Sequence, residues 1–109
     1  MTRTMSKNPP VCNNDNFLVS PDIETILPEV LIEYLWKLAL CKNWQDYEQQ
    51  IFILETGELS GRKIQNIYHI GDYGNTTDAR RVYGVEPVNC KLQVLNSPNG
   101  YQMKLCANA

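Results

Sequence analysis

From Cys90 to Leu105 apolar and polar residues alternate with a period of two: Cys90, Leu92 and Val94 against Lys91 and Gln93, then Tyr101, Met103 and Leu105 against Gln102 and Lys104. That period puts each set on its own face of a strand. Ser97-Pro98-Asn99-Gly100 supplies turn residues between the two runs, so the stretch predicts a β-hairpin with one buried face. A lone hairpin is at best marginally stable in water. The rest of the chain must therefore provide further strands and a layer to cover the apolar face.

The covering layer is legible between residues 28 and 41. Pro28 suits the start of a helix, where its missing N–H leaves no bond unmade. Leu31, Leu35 and Leu38, flanked by Ile32, Trp36 and Ala39, recur at intervals of three and four, while Glu29, Glu33 and Lys37 share the opposite side. Burying four or five such side chains contributes on the order of 8 to 12 kcal/mol before entropy is subtracted.

More strands are expected on either side. Phe17-Leu18-Val19 is a short apolar run stopped by Ser20-Pro21-Asp22. Tyr47 to Leu54 is rich in β-branched and aromatic residues, with Ile51 and Ile53 on one face and Phe52 and Leu54 on the other, as in a central strand. The polar connection Thr56 to Gly61 leads to a returning strand, Arg62 to Ile70, with Ile64, Tyr68 and Ile70 on one side and Lys63, Gln65, Ile67 and His69 on the other. Gly71 to Val88 is irregular, and Thr77 as a cap with Gly84 as a stop predicts a short helix over Asp78 to Tyr83.

The expected fold is α+β: a mainly antiparallel sheet of about five strands, one main helix packed on one face, and a short helix in the long 71–88 loop. At 109 residues the chain suits a single domain. That domain is expected over 16–109, because residues 1–15, with Pro9-Pro10 and several Asn and Asp, are too polar to bury a core and predict a flexible tail.

Taken together, Phe17-Leu18-Val19, Leu27-Pro28-Glu29 through Leu35-Trp36-Lys37-Leu38, Asp46-Tyr47 with Gln50-Ile51-Phe52, and Ile64-Gln65-Asn66-Ile67 with His69 resemble a family from Gram-positive bacteria, their phages and mobile elements. The family is catalogued as a domain of unknown function (family 960). The resemblance covers roughly residues 17 to 107 and implies an N-terminal strand, a helix with a central tryptophan, two further strands and a closing hairpin. This chain differs from the family after the histidine strand, where Gly71-Asp72-Tyr73-Gly74 stands in place of acidic residues and proline. The family carries no assigned activity, so the resemblance implies a fold and an origin and transfers no site residue.

Several function classes are disfavoured by the residues themselves. The longest apolar run, Val30-Leu31-Ile32, falls far short of the roughly 20 residues of a membrane span. No apolar signal core follows Arg3 and Lys7, so a cytoplasmic protein is expected. The four cysteines, Cys12, Cys41, Cys90 and Cys106, are read as thiols, and with His69 the single histidine no metal-ligand spacing is present. Cys90 is read as core packing, and Cys106-Ala107-Asn108-Ala109 fails as a prenylation box because Asn108 is not aliphatic. Gly71-Asp72-Tyr73-Gly74 and Asn75-Thr76-Thr77 are read as turn chemistry, so no cofactor is expected.

His69, with Asp72, Tyr68 and Tyr73 nearby, is the one candidate for acid–base chemistry. A hydrogen-bonded structural or surface histidine is the favoured reading, so no catalytic residue is assigned. The net charge of −2 opposes nucleic-acid binding through the overall field. Arg80 and Arg81 with Tyr83 and Tyr73 are the place where basic and aromatic residues meet, and Trp44 lies outside the helical stripe. The sequence thus predicts a small cytoplasmic non-enzymatic protein-interaction module that meets its partner through Trp44, Tyr73, Arg80, Arg81 and Tyr83. The alternative is a nucleic-acid or nucleoprotein binder, including a phage-type inhibitor of a host defence enzyme whose Glu24, Glu29 and Glu33 imitate phosphates. Edge-strand pairing into a homodimer is compatible with either.

Overall fold

In the computed structural model, which describes residues 17–71, 76–98 and 100–106, the apolar stripe of the predicted helix lies across a six-stranded sheet. The elements in chain order are β1 (Phe17–Val19), α1 (Pro21–Ile26), α2 (Glu29–Ala39), β2 (Gln49–Leu59), β3 (Arg62–Gly71), β4 (Thr76–Val82), β5 (Cys90–Ser97) and β6 (Gly100–Leu105). The sheet order is β1-β6-β5-β2-β3-β4. β1 runs parallel to β6 and every other neighbouring pair is antiparallel.

α2 buries Leu31, Ile32, Leu35, Trp36, Leu38 and Ala39 and leaves Glu29, Glu33 and Lys37 exposed, as the spacing predicts. Beneath it the strands contribute Phe52 and Leu54, Ile67, Leu92 and Val94, and Tyr101 and Met103 to the same core. β2 is central, flanked by β3 and β5. The closing hairpin forms with the expected buried face, and in its register Val94 lies opposite Met103 and Leu92 opposite Leu105.

Four expectations are corrected. Among the described residues the sheet has six strands where about five are expected, and although it is antiparallel at four of its five pairs, it is mixed, because β1 runs parallel to β6. The predicted short helix over 78–83 is instead edge strand β4, paired along β3 from Gln65–Val82 to Gly71–Thr76. Ala79, Val82 and Tyr83 have helical spacing, but a helix there would leave the outward backbone groups of β3 unpaired, and pairing them is worth more than local propensity. A second helix, α1, follows β1, with Pro21 in its first turn and Asp22 and Glu24 beside it. Pro21 therefore starts a helix as well as ending a strand. Finally, the connection after β2 is not Thr56 to Gly61 but Ser60 and Gly61 alone, at φ 55° and 79°, because β2 runs on to Leu59. A Cβ on Gly57 would meet the amide tip of the Asn66 side chain, which lies over the space that glycine leaves in β2. The predicted tail 1–15 lies outside the described residues.

Candidate partner-binding site

β3 faces the helices with the side that looks polar in the sequence. Gln65, Ile67 and His69 are buried and Tyr68, on the opposite phase, is exposed. His69 is 1% exposed. Its neighbour across the ladder is Phe52, whose ring stacks on the imidazole at 4.2 Å between centroids. On the other side lies Trp44, at 3.6 Å and 17° from parallel. Trp44 arrives there because the chain leaves α2 through tight turns, Trp44 N–H bonding Cys41 O and Tyr47 N–H bonding Trp44 O. Gly71 makes the approach feasible, since a Cβ there would run into the rings of Tyr47 and Trp44.

The amide of Gln50 fixes the protonation of this histidine. Its Nε2 donates to Ala39 O at 3.1 Å and to Trp44 O at 2.9 Å, so Oε1 is left as the acceptor. His69 Nε2–H therefore donates to Gln50 Oε1, at 2.6 Å. Burial lowers the His69 pKa to about 4; Asp78, opposite on β4, pulls it back up and Arg80 adds to the lowering. His69 is neutral at pH 7 and ties the end of α2 to the sheet. Trp44, expected as a partner-binding residue, is 8% exposed and spends its ring on this stack. It is withdrawn from the candidate surface. Sequence spacing misses Gln50 as the organiser, although its phase with Phe52 and Leu54 marks it as inward-facing.

Gln65 plays a parallel part at the other end of the sheet. Its Oε1 accepts from Val88 N–H at 2.7 Å, and its Nε2 donates to Val88 O and Glu55 O at 3.0 and 3.2 Å. Asn89 clasps Thr56, Oδ1 accepting from Thr56 N–H and Nδ2 donating to Thr56 Oγ1. Together these bonds hold the crossover from β4 to β5 against the sheet.

That crossover begins at the remaining candidate residues. Arg80, Arg81 and Tyr83 line one cleft of about 570 Å³ with Tyr34 of α2 and Asn66 and Tyr68 of β3. Tyr83 is 59% exposed. Arg80 pairs with Asp78 at 3.1 Å, with both side chains well exposed to solvent; Arg81 has no ion pair among the described residues. Tyr73 and Asp72 lie outside the described residues, and so does the Tyr/His/Asp cluster that would need them. The strand phase shared by Tyr68 and Arg81 continues over the face of the sheet opposite the helices as Ile51, Ile53, Lys91, Gln93 and Lys104.

Among the described residues no group of histidine, cysteine and acidic side chains is arranged to hold a metal, and no helix is long and apolar enough to cross a membrane. Cys41, Cys90 and Cys106 are free thiols. Cys90 packs partly against the core, and its pKa is raised by burial first and by Cys106 second; Cys12 lies outside the described residues. Comparison of the chain with family models, curated proteins and solved structures gives no match.

Proposed function

We propose that this chain is a small interaction module that works by binding a protein partner and carries no chemistry of its own. The observation that supports it is the cleft beside β4, in which three tyrosines and two arginines from three parts of the chain converge. Tyrosine and arginine combine large contact area with directional hydrogen bonding and are the residues over-represented where binding energy concentrates. The one histidine is enclosed between Trp44 and Phe52 and serves the core. A cytoplasmic location in a bacterium, phage or mobile element belongs to the same proposal; the resemblance to family 960 brings an origin and no activity.

The test is capture of a partner by the tagged chain and by an Arg81→Ala/Tyr83→Ala variant with an unchanged melting temperature. Loss of the captured protein from the variant supports the site, and undiminished capture overturns it.

A second reading, nucleic-acid binding, draws on the same cleft, because base stacking on tyrosines beside arginines is a general mode of single-strand recognition. Lys91 and Lys104 on the face of the sheet opposite the helices favour it. Affinity for a single-stranded oligonucleotide that falls steeply with salt supports this reading, and a flat salt dependence removes it.

A further inference from the structure

β4 is the outer strand of the sheet, and no described residue pairs with its far side. Which of its backbone groups face outward follows from the β2–β3 turn. A two-residue turn makes Leu59 and Arg62 a hydrogen-bonded pair. Counting by twos along β3, Asn66 and Tyr68 bond toward β2, and Gln65, Ile67 and His69 bond toward β4. Their partners there are Val82, Arg80 and Asp78. The N–H and C=O groups of Thr77, Ala79 and Arg81 are thus turned to the open edge. A separate observation agrees: Ala79 N–H is bonded by the Asp78 carboxylate, at 2.9 Å, and so is not spent on β3.

The side chains along this edge are self-complementary. In an antiparallel pair of two β4 strands related by a two-fold axis at Ala79, Asp78 of each copy lies opposite Arg80 of the other. These would be non-hydrogen-bonded positions, where facing side chains come closest. An axis at Asp78 or Arg80 would instead set like charges face to face, and an axis at Thr77 or Arg81 would leave both charges without a counterpart. Ala79 sits on the axis with a side chain small enough to meet its own copy.

We propose that two copies of this chain join edge to edge through β4, antiparallel about Ala79, with reciprocal Asp78–Arg80 ion pairs. On pairing, Ala79 N–H exchanges the Asp78 carboxylate for the carbonyl of Ala79 in the second copy, and each Asp78 turns from its own Arg80 to the other's. The contact is a single pair of strands, so a dissociation constant in about the micromolar range is expected.

Sedimentation velocity over a concentration series tests this. The wild-type chain should shift from monomer to dimer as concentration rises from below about 1 μM to about 100 μM; a monomer throughout overturns the proposal. Ala79→Pro removes an outward N–H and leaves the β3 bonds in place, so it should be monomeric, and a dimer of undiminished affinity overturns the proposal. Asp78→Arg should be monomeric, and adding Arg80→Asp should restore the dimer, because the reversed pairs face each other again. This charge exchange leaves the backbone untouched and decides the matter if the proline variant fails to fold: failure of the double variant to regain the dimer, with circular dichroism unchanged, overturns the proposal.

Discussion

The imidazole of His69 and the indole of Trp44 lie face to face, with ring centroids 3.6 Å apart. Read along the chain, these are a candidate proton carrier and a candidate interface anchor, well separated in sequence. In the fold each satisfies the other. The indole shields the imidazole from water and the imidazole fills the space beneath the indole, while Gln50 connects both to the end of α2 through Trp44 O, Ala39 O and His69 Nε2.

This arrangement makes stability depend on pH in a defined direction. The folded chain holds His69 neutral down to about pH 4, whereas an exposed histidine takes up its proton near 6.5. Between those values the unfolded chain binds more protons, so stability is full above the upper value and falls as the pH drops through the window. The loss across it is on the order of 3 kcal/mol. Urea unfolding at pH 7 and pH 4.5 should show a larger drop for the wild type than for His69→Phe; equal drops would mean that His69 is not the group responsible.

Gln50→Ala removes the acceptor of the His69 N–H and the donor to two carbonyls in one step. Buried groups left unpaired are costly, and a loss of about 2 to 4 kcal/mol is expected in chemical denaturation. A loss below 1 kcal/mol would show that water replaces the amide without difficulty.

Two glycines should respond to alanine for different reasons. Gly71→Ala drives a methyl group into Tyr47 and Trp44, with an expected cost of about 1 to 3 kcal/mol. Gly84 has open space around it and a φ of +81°, so Gly84→Ala should cost about 1 kcal/mol from backbone conformation alone. Thermal melts of the two variants check the order.

Gln65→Ala should leave the sheet standing while freeing the crossover it holds. Amide exchange at Val88, whose N–H bonds Gln65 Oε1, is expected to accelerate about tenfold or more, with exchange at Phe52 and Leu92 little changed. Uniform acceleration would mean that the crossover is integral to the core.

Regular periodicity made α2 and the β5–β6 hairpin legible, because Leu31, Leu35 and Leu38 recur at helical intervals of four and three, and Leu92 with Val94 and Tyr101 with Met103 keep a strand's interval of two. β4 was hidden for the opposite reason. Its residues carry charges on an edge, where alternation has little core to report, and its strand state is imposed by the pairing needs of β3. The inward side of β3 was obscured by Gln65 and His69, which reach the interior because their polar groups bond backbone and side-chain partners there. Of the candidate site, Arg80, Arg81 and Tyr83 were visible as a local cluster, whereas Tyr34 and Tyr68 join it only through the packing of α2 and the phase of β3.

β1 finds its place in the sheet only against β6, Phe17 beside Tyr101 and Val19 beside Met103. β1 is synthesised well before β6 and must therefore wait for it, several seconds at elongation rates of about 5 to 20 residues per second. Meanwhile Phe17, whose ring finally rests on Trp36 and Tyr101, has only the helix to shelter it. The sheet therefore cannot close before β6 has been made, and until then the apolar side chains of β1 are free to meet other proteins.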